Sequence, residues 1–111
     1  MSLPLSKLGL AVRALEVLVE YRANMAKLRE DPAAMDVYLE VGNELDQLRV
    51  LSSVDPRLSV PMVQLLIAHT ELVAGIWKQG RNQTRARAWM MHGEACEFMH
   101  GRCMELVGRL Q

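Results

Sequence analysis

The C-terminal stretch of the chain constrains the fold most, because its apolar residues keep to one side of an α-helix over about seven turns. At 100° per residue, Thr84–Leu110 places small and apolar side chains on one half of the helix and Arg87, Glu94 and Arg102 on the other. One row on the apolar half has a strict 4-3-4-3 spacing: Trp89, Gly93, Cys96, His100, Cys103, Val107 and Leu110. This pattern predicts a long helix packed against neighbouring helices.

Length and composition indicate what kind of protein such a helix belongs to. The chain has 111 residues, enough for one domain with a real core, so residues 1–111 are expected to form a single domain. Half of the residues are hydrophobic, only 5% are aromatic, and methionine is frequent at 8 residues. This composition is typical of an all-α helix bundle.

Charge and cysteine content indicate the compartment and exclude some partners. Lys plus Arg and Asp plus Glu each number 13, so no net charge attracts the protein to nucleic acid or to an anionic membrane. Arg13 and Glu16 interrupt the apolar stretch Leu8–Val19, which argues against a signal peptide or a membrane span. Two cysteines in a methionine-rich chain do not resemble a secreted disulfide scaffold. We expect a cytoplasmic protein without a membrane or nucleic-acid partner.

Capping residues divide the rest of the chain into three further helices. Ser6 predicts a helix to about Arg29, and Asp31-Pro32 predicts the start of a second helix, Pro32–Leu51. The third helix is expected at Val60–Gln79, and the last begins at Asn82 or Thr84. Short connections favour antiparallel neighbours, so the predicted fold is an antiparallel up-down four-helix bundle.

The apolar surface exceeds what four helices can cover by themselves. A helix in a monomeric bundle needs an apolar stripe of roughly 100° or somewhat more, whereas the first, third and last helices carry arcs near half a turn of the wheel. A homodimer, or a partner helix, would cover the excess. We expect self-association through the first and last helices. The interface residues predicted there are Leu10, Val17, Tyr21, Met90, Met91 and Phe98.

The last helix carries cysteine and histidine residues at metal-binding spacings. Cys96 and His100 are four residues apart, and His100 and Cys103 are three apart, so neighbouring side chains can reach one metal ion. The alternative is that these residues pack, because free cysteine is among the most buried residue types. Cys96 and Cys103 lie about 10 Å apart along an intact helix, beyond the ~7 Å reach of a disulfide. The metal interpretation predicts a metal- or redox-responsive regulator, and no cofactor is expected otherwise.

A histidine in the third helix lies inside the apolar arc. A buried polar side chain without a partner costs ~1–3 kcal/mol, so His69 needs a hydrogen bond. We predict that His69 is a neutral, hydrogen-bonded core histidine, with a binding site as the alternative.

Arginines cluster where the last helix begins. Positive charge near a helix N-terminus opposes the helix dipole by ~0.3–1 kcal/mol unless an anion binds there. Arg81, Arg85 and Arg87 are therefore a possible anion or phosphate site, and solvated arginines beside a turn are the alternative.

The chain carries no motif of catalysis. His69-Thr70-Glu71 and His92-Gly93-Glu94 share the His-x-Glu element of zinc deaminases, but the matching Pro-Cys-x-x-Cys is missing. A phosphate-binding glycine loop and a nucleophile elbow are also missing. We therefore expect a non-enzymatic helical-bundle interaction or adaptor protein, acting through homodimerisation or through binding of a protein or peptide helix.

In size and helix pattern, the chain looks like the small helical export chaperones of flagellar and type III secretion systems. Small bundle-type regulators have the same general pattern. The resemblance implies a fold and an export-chaperone function as an alternative to the adaptor. It shares no diagnostic motif, so it assigns no role to any residue of this chain.

Overall fold

A computed structural model describes residues 6–78 and 82–111. Four α-helices account for most of them: α1 (Lys7–Glu30), α2 (Met35–Ser52), α3 (Ser59–Trp77) and α4 (Asn82–Leu110). A 3₁₀ turn, Pro56–Leu58, leads directly into α3, and the described residues contain no β-strand. The all-α prediction is confirmed.

The start of α1 follows from a single capping side chain. Ser6 lies in extended conformation, and its Oγ accepts a hydrogen bond of 3.0 Å from the Gly9 backbone N–H. This bond pairs one of the N–H groups that the first turn of a helix leaves free. The predicted cap is therefore confirmed, and α1 ends one residue beyond the predicted Arg29.

The predicted start of α2 at Pro32 is wrong by three residues, because Asp31 closes α1 instead of opening α2. The Asp31 N–H donates to the Lys27 carbonyl at 2.8 Å, which completes the last turn of α1. Its carboxylate accepts from the Ala33 N–H at 3.1 Å, which forms a tight aspartate turn. The backbone becomes helical only at Met35.

The connection between α2 and α3 is tied to the start of α1 by a buried carboxylate. Asp55 accepts a hydrogen bond of 2.9 Å from the Arg57 N–H, and Lys7 Nζ lies 2.8 Å from its other oxygen. The hydrogen bonds from Lys7 and from the Arg57 backbone lower the pKa of Asp55. The 3₁₀ turn is thereby held against α1. Helix α3 then starts at Ser59 and ends at Trp77, whereas the predicted end, Gln79, lies outside the described residues.

The helices pack unequally around the core. Helix α1 packs against both α2 and α4, and α4 packs against α3, whereas α2 and α3 contact each other sparsely. Tyr38 of α2 and Trp77 of α3 make one such contact, with ring centroids 5.6 Å apart. The molecule measures 51 × 25 × 17 Å. Helix α1 is therefore covered on two sides, and α3 is supported mainly by α4.

Candidate interaction face and internal polar cluster

Helix α3 is almost free of charge, yet it is poorly buried. Among the 19 residues of Ser59–Trp77, Glu71 is the only Asp, Glu, Lys or Arg. Ile67 lies near the centre of the side that faces solvent and is 53% exposed. We call this side the α3 face. It consists of Val60, Val63, Gln64, Ile67, Thr70, Glu71 and Trp77, which are all exposed. The buried residues of the helix are Pro61, Met62, Leu65 and Leu72.

A regular row of side chains runs along the α3 face. The row has a 4-3-4-3-4 spacing and points away from the core, but its apolar members alternate with Gln64, Glu71 and Lys78, so it is not the continuous apolar seam of a coiled coil. Its members are Val60, Gln64, Ile67, Glu71, Ala74 and Lys78. The Thr70 hydroxyl donates 2.8 Å to the Leu66 carbonyl, so this side chain already has a partner within its own helix. The α3 face therefore combines exposed apolar side chains with single polar side chains along one side of the helix.

A groove between α3 and α4 extends the α3 face. Its volume is about 260 Å³, and Ile67 and Ala68 of α3 lie opposite Met91 and Ala95 of α4. Gln64, Glu71 and Glu94 also line the groove. Met91, one of the predicted interface residues, is 46% exposed at this position. An apolar side chain from another molecule can enter between the two helices, next to an acidic rim.

The stretch Pro56–Trp77 is also long and apolar enough to cross a membrane, as judged by length and composition, and 22% of it is buried. These two properties suit a lipid bilayer and a protein partner equally. Glu71 distinguishes the two, because it lies within the stretch and a charged group inside a bilayer is costly. The chemistry of the α3 face therefore fits a protein surface better.

The predicted interface residues have different environments. Met90 and Met91 are exposed, and Leu10 and Phe98 are half-buried. The Arg102 guanidinium lies 5.3 Å from the centre of the Phe98 ring. Two of the predicted residues, Val17 and Tyr21, are wrong, because both are fully buried inside the subunit. The part of the α1 arc that contains Val17 and Tyr21 is covered by α2 and α4, whereas Val12 and Val19 of the same helix remain exposed.

The structure does not bring the predicted metal ligands together. Cys96 and Cys103 are buried two turns apart, and His100 is half-buried. Within residues 6–78 and 82–111, no three His, Cys, Asp or Glu side chains come close enough to hold a metal ion. Burial raises the pKa of each thiol to about 11, so both stay protonated at neutral pH. The two cysteines serve as small apolar residues of the core.

Of the predicted anion site, only part can be placed. Arg81 lies outside the described residues. Arg85 is half-buried and Arg87 is exposed. Residues two apart on a helix point to different sides, so α4 does not direct these two guanidinium groups toward one ligand.

A tyrosine joins two histidines between three of the helices. Tyr21 Oη of α1 lies 2.7 Å from His69 Nδ1 of α3 and 2.7 Å from His92 Nε2 of α4. A phenol carries one proton, so Tyr21 donates to one ring and accepts from the other. The prediction of a hydrogen-bonded His69 is confirmed. Its two partners were not predicted, although Tyr21 and His92 also lie within apolar arcs of their own helices.

Burial keeps all three of these side chains uncharged. It lowers the pKa of His92 to about 4, with smaller contributions from His69 and Arg22. It also lowers the pKa of His69 and raises the pKa of Tyr21. Cys96 Sγ lies 4.0 Å from one His92 ring nitrogen and 3.9 Å from the other, and burial keeps it a thiol. The cluster therefore holds three helices together and contains no activated nucleophile.

A second internal contact joins α1 to α2. The Asn24 amide nitrogen lies 3.0 Å from each Glu44 carboxylate oxygen and 3.3 Å from Glu40. Burial raises the pKa of Glu44, and the hydrogen bond with Asn24 opposes that shift.

Comparisons of the chain with protein-family models, curated proteins and solved structures find no match.

Proposed function

We propose that this protein is a non-enzymatic helical interaction protein, which packs its α3 face against the helical surface of another molecule. One observation carries the proposal: the helix with a single charged residue, Glu71, is also the helix that leaves Val60, Val63 and Ile67 more than half exposed. Contiguous apolar surface of this kind marks an interaction site in soluble proteins.

Burying the α3 face against a partner would be favourable in free energy. Burying the exposed half of a valine or isoleucine contributes on the order of 1 kcal/mol, so Val60, Val63 and Ile67 together contribute several times that amount. Trp77 lies at the end of the same helix and is 57% exposed, although its ring also contacts Tyr38 of α2 within the subunit. Exposed apolar residues on α2, such as Leu39 and Val50, instead stand among charged side chains, and single exposed residues need no cover.

The arrangement that we propose is an antiparallel up-down bundle, since short connections join successive helices. In this arrangement α4 lies between α1 and α3, and α2 lies on the far side of α1. The outer side of α3 is then the natural place for one more helix. This differs from the sequence prediction of self-association through the first and last helices, because Val17 and Tyr21 of α1 are already buried within the subunit.

Substitution on the α3 face tests the proposal. Light scattering and sedimentation, from low micromolar to tens of micromolar protein, would compare wild type with Ile67→Ser and Val63→Ser. We expect both variants to associate more weakly. Leu39→Ser is the matched control, since Leu39 is 73% exposed on α2. Circular dichroism would establish that all variants are folded. Association that is unchanged in both α3 variants would contradict the proposal.

Oxidation of methionine gives a second, independent measurement. Met91 lines the groove beside Ile67, whereas Met35 lies at the start of α2 and is exposed. Dilute hydrogen peroxide followed by mass spectrometry would report how fast each is oxidised. We expect Met91, and not Met35, to be protected when the protein associates. Equal protection of the two would place the contact elsewhere.

A further inference from the structure

We infer that the α3 face binds a second copy of this chain, so that the two α3 helices cross at Ile67 around a two-fold axis. This inference rests on the proposed function and names its partner. Ile67 suits the crossing point for two reasons. It lies near the middle of Ser59–Trp77, and it lies near the centre of the exposed side. A contact between identical patches on a two-fold axis is the commonest way in which soluble proteins associate.

The polar residues of the α3 face complement each other in this arrangement. In an antiparallel pair of α3 helices with the two-fold axis at Ile67, residues that precede Ile67 in one copy lie opposite residues that follow Ile67 in the other copy. Gln64 precedes Ile67 by three residues, and Glu71 follows it by four. At 1.5 Å per residue these positions are about 4.5 and 6 Å from the axis, so they face each other to within ~1.5 Å. The Gln64 amide then donates to the Glu71 carboxylate of the second copy, and symmetry repeats the bond.

The same pairing gives each polar side chain a partner that its own subunit does not provide. Neither Gln64 nor Glu71 makes a side-chain hydrogen bond or an ion pair with another of the described residues. Both would lose water when the apolar residues around them are covered, which is costly without a replacement bond. Ala74, two turns from Ile67 on the same side of the helix, has a small side chain that allows the two helices to approach closely.

Other occupants lack this complementarity. Glu71 and Glu94 form an acidic rim on the groove, which would repel the anionic surface of a cytoplasmic membrane leaflet. A helix of another protein would have to place a donor opposite Glu71 by its own sequence. The second copy already carries that donor, Gln64, at the required position.

A charge exchange tests this arrangement. Gln64→Glu would put two carboxylates opposite each other at two symmetry-related positions, so we expect the dissociation constant of the dimer to rise about tenfold. The double variant Gln64→Glu/Glu71→Lys would place opposite charges there and restore association. Gln47→Glu makes the same change on the exposed side of α2 and should have no effect. Sedimentation equilibrium would measure all three.

Cross-linking locates the axis directly. Ile67→Cys introduces an exposed thiol, whereas the native Cys96 and Cys103 are buried. With oxidised glutathione as the oxidant, we expect a covalent dimer for Ile67→Cys. Val50→Cys is the control, since Val50 is 67% exposed on α2. Equal yields from the two variants would overturn the inference.

The possible results separate the inference from the proposed function. A protein that is monomeric alone, but binds another helix in a way that Ile67→Ser abolishes, would overturn the second-copy inference and support the proposed function. The inference would be overturned if the wild type associates, Gln64→Glu does not weaken that association, and Ile67→Cys gives no covalent dimer. Association that no α3 variant alters would overturn both.

Discussion

Tyr21 and His92 are 71 residues apart in the chain, and their side chains meet at 2.7 Å, Oη to Nε2, in the interior of the protein. His69 reaches the same hydroxyl from α3 at 2.7 Å. The Tyr21 hydroxyl is thus the common partner of the buried His92 ring and the half-buried His69 ring. Much of the polar cohesion between α1, α3 and α4 depends on that one oxygen.

Removing this oxygen should destabilise the protein. Tyr21→Phe keeps the ring and leaves both imidazoles without their partner, so we expect the free energy of unfolding to fall by ~1–3 kcal/mol. Tyr38→Phe is the control, because the Tyr38 hydroxyl bonds the Pro32 carbonyl at an exposed position. Urea denaturation of the two variants would measure the difference. An equal decrease in the free energy of unfolding for Tyr21→Phe and Tyr38→Phe would show that the hydrogen bonds to the histidines stabilise the fold no more than an exposed bond does.

Acid should weaken the fold through His92. Burial lowers its pKa from 6.5 to about 4 in the folded protein, so the unfolded chain takes up a proton first as the pH falls. The free energy of unfolding should therefore decrease between about pH 6.5 and pH 4, by up to ~3 kcal/mol from this group. Urea denaturation at pH 7 and pH 5 would reveal this. We expect His92→Gln to reduce the pH dependence, and an unchanged pH dependence in that variant would contradict this role.

Asp55 should contribute more to stability than an exposed carboxylate does. Asp55→Asn would lose the ion pair with Lys7 and weaken the cap of the 3₁₀ turn, so we expect the melting temperature to fall by several degrees. Asp46→Asn removes an exposed contact of 3.4 Å with Arg49 and should change it little. Because the pKa of Asp55 is lowered on folding, its contribution is present at neutral pH and is lost as the pH falls through that lowered pKa. Similar melting temperatures for the two variants would contradict this role.

The native cysteines should be unreactive. Cys96 and Cys103 are buried, and the pKa of each is raised to about 11, so little thiolate is present and reagent has no access. We expect slow reaction with a disulfide reagent in the folded protein and complete reaction in denaturant. A zinc titration that is identical for wild type, Cys96→Ser and Cys103→Ser would agree with packing. Stoichiometric zinc binding that either substitution abolishes would restore the metal interpretation.

The features that the sequence predicts correctly are short in range. The Ser6 cap depends on a residue three positions away, and the need of His69 for a hydrogen bond follows from its place in an apolar arc. The identity of its partner does not follow, because periodicity shows which side of a helix is covered without showing what covers it. The same limit explains the error at Val17 and Tyr21. A wide apolar arc fits two neighbours in the same chain as well as a second subunit.

Asp31 illustrates a different limit. Aspartate before proline is typical both of a helix start and of a turn, and the sequence does not say which carboxylate bond forms. The backbone of α1 decides the matter, since the Asp31 N–H is already used to close that helix. Whether Asp31 ends α1 or begins α2 is therefore decided by the hydrogen bonds of the folded backbone and not by the residue type.

The core side and the solvent side of α3 belong to one helix but have different structural roles. Leu65 and Leu72 are fully buried and hold α3 to the rest of the molecule, while Ile67 on the opposite side is 53% exposed and contributes less to packing within the subunit. Changes at Ile67 and its exposed neighbours can therefore alter what the protein recognises at little cost to its own folding. Selection can retune the choice of partner on one side of this helix while the other side preserves the architecture.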